Sequence, residues 1–427
     1  MTEYNDYKEY FSPVFAKYTD IVMESGKGCY LYDENGNEYL DFVQGIAVNA
    51  LGHCHPRIVK AVTKQVENLM DASFNLVNYA STLKAGKQIC ELFPDMDASI
   101  FFTNSGAEAT DSAIKLARAA TKRPYIISFY GSFHGRTMGA TSVTGSNAMY
   151  REDYEPLVGS VEFIPYPAKA FCPKGYSEQQ MTDFCIEQLN HLFKYKTSPA
   201  LVAAVIIEPV QGEGGYNVPA KSFMKQLRDI CTQYGILLIC DEIQSGYGRT
   251  GKMFAFENFD ILPDIVTLGK AVGGGVPMSA VVSTKEIMSK WKTGTHGTTF
   301  GGNPVAGASA LAVLGEFEQS KILENCNEMG KYFKEQLIGL KEKYSCISDV
   351  RGLGLMLAIE FSNSDGTPAP EILQKVKSDC YKQRFLTISC GVFGNCMRFC
   401  PPLNITAKEI DKAIGILDAA ISKAITE

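Results

Sequence analysis

The chain has 427 residues, a formal net charge of −6 and ordinary fractions of apolar (45%) and charged (21%) residues. This length predicts two domains of unequal size. The acidic balance argues against a nucleic-acid partner, because phosphate binding needs an excess of lysine and arginine. The 13 cysteines are scattered without CxxC pairs, which predicts reduced thiols and a cytoplasmic location. The first 18 residues lack the regions of a signal peptide and no apolar run approaches spanning length, so no membrane association is expected.

The N-terminal part predicts a hairpin and a helix. Residues 28–42 alternate apolar and polar side chains around Asn35 and Gly36, which predicts a hairpin with a tight primed turn. A helix is expected from Pro56 to about residue 70. His53 and His55 supply too few ligands for a metal. No metal site is therefore predicted, and a loop held by imidazole hydrogen bonds is favoured there.

Short apolar runs alternate with helical segments from residue 99 onward. This alternation is typical of a parallel α/β sheet that is covered on both faces. The segments after Pro304, including a terminal helix from Ala407, predict a separate smaller layer. Strands are predicted at residues 100–103, 125–129, 202–207, 236–240, 265–268, 280–282 and about 354–359. Helices are predicted from the turn at residues 104–109 to about residue 121, and near residues 183–195, 220–234 and 370–383.

Several strand ends carry groups that suit a ligand. Residues 105–107 join a strand to a helix, and such a junction offers free amides and a positive dipole end to an anion. Residues 131–137 place a ring, an imidazole and a guanidinium between glycines, as expected in a pocket floor. Asp241 ends a buried strand, and ligands of open α/β sheets bind at that edge.

Lys270 follows an apolar strand and precedes three glycines at 273–275. Glycines allow backbone to approach a ligand closely, and a partly desolvated ammonium becomes an amine nucleophile suited to a Schiff base with an aldehyde. An activated lysine, a strand-end carboxylate, a phosphate cradle and a ring for stacking together indicate pyridoxal 5'-phosphate chemistry.

From about Gly26 to the C-terminus the sequence resembles the class III aminotransferases, which belong to the fold-type I pyridoxal-phosphate enzymes. The resemblance implies a large domain with a mostly parallel seven-stranded sheet and a smaller α+β domain formed by both chain ends. The implied limits are 52–312 for the large domain, with 1–51 and 313–427 forming the small one. The matching blocks, in family order, are residues 104–109, 133–137, 208–215, 241–251, 268–275 and 297–304.

The resemblance also implies roles for single residues. Lys270 would form the Schiff base and move the proton, and Asp241 would keep the pyridine nitrogen protonated. Phe133 and Ile243 would cover the two ring faces, and Thr299 would reach the phosphate of the neighbouring subunit. The last role implies a homodimer with shared sites, and a tetramer stays open. The implied cofactor-binding residues are Ser105, Gly106, Ala107, Phe133, His134, Asp241, Ile243, Gln244, Lys270 and Thr299.

The implied substrate residues are Ile46, Arg136, Glu213 and Arg398. The two arginines match those that bind the carboxylates of glutamate in the 4-aminobutyrate branch of the family. An ω-amino acid would leave Arg398 without a partner, and an unpaired buried charge costs about 3–5 kcal/mol. The resemblance implies that Glu213 pairs with Arg398 for such a substrate and moves away for glutamate.

The predicted reaction transfers the amino group of an ω-amino acid to 2-oxoglutarate, and 4-aminobutyrate is the favoured donor. Three alternatives stay open: ornithine or N-acetylornithine as the amino donor, a racemase or epimerase on the same core, and a scaffold protein that only binds the cofactor. A racemase needs no 2-oxo acid, which separates it from an aminotransferase.

Overall fold

The centre of the molecule is a seven-stranded sheet. The computed structural model describes residues 5–15, 17 and 19–426, so part of the segment tested for a signal peptide lies outside the described residues. One strand, Ser279–Thr284, runs antiparallel to both neighbours, and the other neighbouring pairs are parallel. The strands are, in spatial order, Ala98–Thr103, Ser279–Thr284, Ile265–Leu268, Leu237–Asp241, Val202–Ile207, Tyr125–Phe129 and Val161–Ile164.

Helices cover this sheet and continue into the C-terminal part. Their amphipathic faces bury apolar residues, and the connections between strands are long enough to cross over the sheet. The α-helices of the described chain are Pro56–Asn68, Ala80–Glu91, Gly106–Thr121, Met138–Ser142, Glu178–Tyr195, Lys221–Tyr234, Lys285–Met288, Pro304–Gln319, Ile322–Lys343, Pro370–Lys382 and Ala407–Thr426. The 3-10 turns are Asn5–Tyr10, Ala148–Tyr150, Pro199–Leu201, Ala255–Phe259 and Lys270–Gly273.

Both chain ends contribute to two smaller sheets. Phe385–Leu386 pairs in parallel with Glu38–Asp41, which joins the C-terminal part to the N-terminal hairpin. The predicted fold class, a mostly parallel seven-stranded sheet with a smaller α+β part from both ends, is therefore confirmed. The N-terminal sheet contains Met23–Lys27, Tyr30–Asp33, Glu38–Asp41 and Phe385–Leu386, and the C-terminal sheet contains Ile347–Leu353, Met356–Phe361, Cys396–Phe399 and Ile388–Cys390.

The structure corrects the turn of the N-terminal hairpin. The hairpin forms, but Tyr32 pairs with Glu38, so residues 33–37 form its loop. A type I′ turn needs positive φ at both central residues, and of Asn35 and Gly36 only Gly36 has it. The Asp33 carboxylate instead accepts hydrogen bonds from the amides of Asn35 (3.0 Å) and Asn37 (2.8 Å). The predicted primed turn is wrong because this side chain organises a longer loop.

Several elements were not predicted from the sequence, and three of them are longer or lie in the central sheet. Val161–Ile164 lies at the edge of the central sheet, and only alternate residues are buried, so it lacks the continuous apolar run of the inner strands. Helix Ala80–Glu91 and strand Ile347–Leu353 were not predicted either. Both segments mix polar and apolar residues, and their helix or strand is stabilised by packing against neighbouring elements.

The sheet order brings the candidate groups together. The chain leaves the carboxyl ends of Leu237–Asp241, Val202–Ile207 and Ile265–Leu268 at one edge, which is the edge where such sheets bind ligands. Within the described part of the chain, no helix has the length and apolar character required to cross a bilayer.

Candidate active site

Lys270 lies two residues beyond the end of strand Ile265–Leu268 and has a left-handed backbone with φ of 48°. Burial lowers the pKa of its ammonium from 10.5 to about 8, and the charge of Arg398 acts in the same direction. The carboxylates of Asp241 and Glu208 oppose this shift. At neutral pH a larger fraction of this amine is therefore neutral than in an ordinary lysine. Lys270 is thus suited to attack an aldehyde.

Asp241 is a buried carboxylate with a histidine behind it. Its Oδ2 lies 2.6 Å from Nδ1 of His134, and its Oδ1 accepts a hydrogen bond from the amide of Ile243 at 3.0 Å. Asp241 is 4% exposed and His134 is 2% exposed. A carboxylate has about four acceptor positions, so each oxygen retains capacity for a ring N–H. Nε2 of His134 is buried without a partner among the described residues.

The start of helix Gly106–Thr121 forms an anion site. The hydroxyl of Ser105 accepts from the amide of Glu108, and the Glu108 side chain accepts from the amide of Ser105 in return. This capping box leaves the first amides, those of Gly106 and Ala107, without an intrahelical partner. The positive end of the helix dipole adds to their attraction for a phosphate.

Ile243 lies against this anion site. A Cβ added at Gly106 would come within 2.9 Å of the Ile243 side chain, and one added at Gly269 within 3.1 Å. A Cβ at Gly135 would come within 2.6 Å of the Ala107 Cβ. These glycines therefore allow the loops around the anion site and Lys270 to approach one another closely. Larger residues would separate the cradle from the lysine.

The pocket floor around Phe133 joins aromatic and cationic groups. The Phe133 ring contacts Tyr150 edge-on, with centroids 5.7 Å apart. The exposed guanidinium of Arg136 lies 4.2 Å from the Tyr150 centroid and 5.8 Å from that of Phe133. Such cation–π contacts hold an arginine in place without neutralising it, so Arg136 stays available to a carboxylate.

Arg398 and Glu213 form an ion pair of 2.9 Å between Nη2 and Oε2. Arg398 is 3% exposed, and its Nε and Nη1 are buried without partners in the described chain. A buried guanidinium with spare donors is a strong site for a planar carboxylate. Glu213 thus binds one donor of Arg398, and the Nε and Nη1 donors remain available to a second carboxylate.

The remaining predicted residues differ in their settings. Ile46 belongs to a turn, residues 44–47, whose residues all have positive φ, and Ile46 itself has φ of 62° and is 39% exposed. A β-branched residue in this region is strained, and strain of this kind clusters at functional sites. Gln244 has a buried Oε1 without a partner in the described chain. Thr299 is exposed on a loop whose neighbour Thr298 accepts a hydrogen bond from Asn104 at 3.0 Å.

Glu208 lies in the block at residues 208–215, and the sequence did not predict a role for it. It directly follows the fully buried strand Val202–Ile207, which is the same signal that singled out Asp241. Its carboxylate accepts from the amides of Phe133 and Gly212, each at 2.9 Å. Position at a strand's carboxyl end was therefore sufficient to find it.

These groups fit the predicted pyridoxal phosphate. A phosphate is matched by unpaired helix-start amides, a ring nitrogen by a buried carboxylate, and an aldehyde by an amine of lowered pKa. These residues account for the phosphate, the ring nitrogen and the aldehyde without a metal ion. Across residues 5–15, 17 and 19–426 no group of three or more His, Cys, Asp or Glu is placed to hold one, and His53 instead contacts the Asp41 carboxylate at 2.7 Å.

Comparison with known proteins gives one family. The model described as aminotransferase class-III matches residues 12–421. The chain is 39% identical to an acetylornithine aminotransferase of Clostridium acetobutylicum, over 97% of this chain and 99% of the relative. It is 40% identical to the 5-aminovalerate aminotransferase DavT of Pseudomonas aeruginosa, over 93% and 92%. A solved amine transaminase from an uncultivated Pseudomonas species, in its PLP-bound form, superposes with a TM-score of 0.90 at 28% identity, over 98% and 99%.

Proposed function

The chain belongs to the class III aminotransferases, which depend on pyridoxal phosphate, and on this premise we propose that it transfers the amino group of 4-aminobutyrate to 2-oxoglutarate. The observation that carries the proposal is the ion pair between Glu213 and the buried Arg398. An ω-amino acid brings no carboxylate beside its amine, so Glu213 neutralises Arg398 while that substrate reacts. Glutamate brings its own α-carboxylate to the spare donors of Arg398 and displaces Glu213.

The residues act on the two substrates in turn. When bound, pyridoxal phosphate supplies a ring that takes up the electron pair left on the substrate carbon. Asp241, held by His134, keeps a proton on the ring nitrogen. Nζ of Lys270 accepts the proton from the substrate carbon that bears the amine. Arg136 binds the far carboxylate, which is common to 4-aminobutyrate and glutamate.

The Glu213→Gln variant tests the donor class. The half-reaction with 4-aminobutyrate should slow roughly 100-fold, because Arg398 then lacks a charged partner in a desolvated pocket. The half-reaction with glutamate should change little, because the substrate supplies that charge. Single-turnover absorbance changes of the cofactor report each half-reaction, and the glutamate reaction serves as an internal control for folding and cofactor loading. Equal losses in both would contradict the proposal.

The similarity to an acetylornithine aminotransferase favours a second donor class. The same single-turnover assay with ornithine and N-acetylornithine decides between them, since the true donor reacts fastest in the wild-type protein. Turnover of an amino acid without any 2-oxo acid would instead identify a racemase or epimerase. Absence of turnover with every donor would leave a cofactor-binding scaffold.

We also propose a homodimer whose sites are shared through Thr299. Mixing Lys270→Ala and Thr299→Ala subunits should restore activity, because a mixed dimer then contains one site with an intact lysine and an intact threonine from the other chain. Recovery should be largest at equal subunit amounts. The measurement is activity after subunit exchange, with exchange followed by native mass spectrometry. If mixed dimers form and no activity returns, each site is built within one chain.

A further inference from the structure

Glu208 is a buried carboxylate that has no part in the proton transfers described above. It is 6% exposed and stands immediately after strand Val202–Ile207. Oε1 accepts a hydrogen bond from the amide of Phe133, and Oε2 accepts one from the amide of Gly212, both at 2.9 Å. One side chain thus contacts two loops of the active site, and both contacts are charge-assisted bonds to backbone.

The two loops carry different parts of the site. The ring loop, residues 131–137, contains Phe133. The switch loop, residues 209–217, directly follows Glu208 and contains Glu213. A further bond, from Nε2 of Gln211 to the carbonyl of Tyr130 at 2.9 Å, ties the switch loop to the residue directly before the ring loop. The position of one loop therefore depends on the position of the other.

The backbone of Glu213 is held on both sides. The preceding amide, that of Gly212, donates to Glu208, and the carbonyl of Glu213 itself accepts from the amide of Gly391 at 2.8 Å. With both sides held, Glu213 can leave Arg398 by rotating its side chain. Movement of the whole loop would break these bonds and also disturb Phe133.

We propose that Glu208, in its ionised form, is a positioning residue that joins the ring loop to the switch loop and so confines the exchange of Glu213 to a side-chain rotation. The inference rests on the proposed function, because it takes Glu213 as the group that pairs with Arg398 for an ω-amino acid. Its consequence is that the 4-aminobutyrate half-reaction depends on Glu208 more than the glutamate half-reaction does, since only the former needs Glu213 in place.

The geometry favours the ionised form, because each oxygen receives an N–H donor. Protonation removes the negative charge and places a hydrogen on one oxygen, so the bond from an amide to that oxygen becomes weaker. Burial raises the pKa of Glu208 to about 7; the charge of Asp241 also raises it, whereas His134 and the two amides lower it. Lys270 and Tyr166 are further titratable groups that interact with it. We therefore expect both bonds at full strength above about pH 7 and one of them weakened as the pH falls through that value.

The test is the ratio of the two single-turnover rates, 4-aminobutyrate over glutamate, in holoenzyme between about pH 6 and about pH 8. Because both half-reactions use Lys270, its own titration cancels in the ratio. In the wild-type protein the ratio should fall roughly 10-fold as the pH drops, which corresponds to one charge-assisted hydrogen bond. In Glu208→Gln the ratio should be low and independent of pH.

The matched control is Glu242→Gln. Burial also raises the pKa of Glu242 to about 7, while Ser245 and the amides of Ala255 and Phe256 oppose the rise and the charge of Asp241 adds to it. Its carboxylate accepts from the amide of Phe256 at 2.8 Å and from the hydroxyl of Ser245 at 2.6 Å, so it contacts neither the ring loop nor Gly212. Glu242→Gln should therefore keep the wild-type ratio at every pH, even if it lowers stability.

A wild-type ratio in Glu208→Gln overturns the inference. If that variant does not fold, a wild-type ratio that stays constant across this pH range overturns it equally. Glu213→Gln distinguishes failure of the positioning role from failure of the proposed function. A normal asymmetry in Glu213→Gln with no effect of Glu208→Gln refutes the positioning role alone, whereas no asymmetry in Glu213→Gln refutes the proposed function and this inference together.

Discussion

Lys270→Ala should abolish transamination, with a loss of roughly 10⁴-fold or more, because one side chain both attacks the aldehyde and moves the proton. The lowered pKa of about 8 supports this double role, since the neutral amine is accessible near physiological pH. The cradle at Gly106 and Ala107 is untouched, so the variant should still bind pyridoxal phosphate. Activity and equilibrium cofactor binding, measured side by side, separate the two effects.

A direct chemical assay locates the same lysine. Borohydride treatment of the wild-type holoenzyme should attach the cofactor to the peptide that contains Lys270. Lys285→Ala is the matched control, because Lys285 is an exposed lysine paired with Asp97, and we expect it to keep both activity and labelling. Label recovered on a different lysine would refute the assignment.

Asp241→Asn should retain the cofactor and lose activity by roughly 10²- to 10⁴-fold, because a neutral amide does not hold a proton on the ring nitrogen. The change keeps the size of the side chain next to His134. The loss should fall on kcat more than on cofactor affinity, since the charge is needed mainly as electron density moves into the ring. Steady-state kinetics measures the change in kcat, and cofactor titration measures the change in cofactor affinity.

The control for Asp241 is a carboxylate at the opposite edge of the same sheet. Asp264 precedes strand Ile265–Leu268 and accepts from the amide of Leu238 and from Arg228, both at 2.7 Å. Asp264→Asn should lower stability without a comparable loss in kcat. Near-normal turnover in Asp241→Asn, with the cofactor bound, would remove Asp241 from the chemistry.

The sequence by itself determined the fold class and the positions of the inner elements. The inner strands form as predicted, namely Tyr125–Phe129, Val202–Ile207 and Ile265–Leu268. A strand that is covered on both faces is a continuous apolar run, and such a run can be recognised from neighbouring residues alone. The helix start at Gly106 is equally local, since Ser105 and Glu108 form its cap within one turn. The order of these blocks was also sufficient to indicate the family.

Tertiary structure decided what depends on distant partners. The edge strand Val161–Ile164 is defined by its pairing with Tyr125–Phe129, whereas the hairpin loop at residues 33–37 is set by the Asp33 carboxylate only two and four positions from the amides it binds. His134 meets Asp241 across 107 positions of the chain, and Glu208 meets Phe133 across 75. Local periodicity does not encode such pairs, because strand order and loop packing bring them together. For that reason the sequence could suggest which residues carry the chemistry, while only the folded chain showed that one buried glutamate joins its two loops.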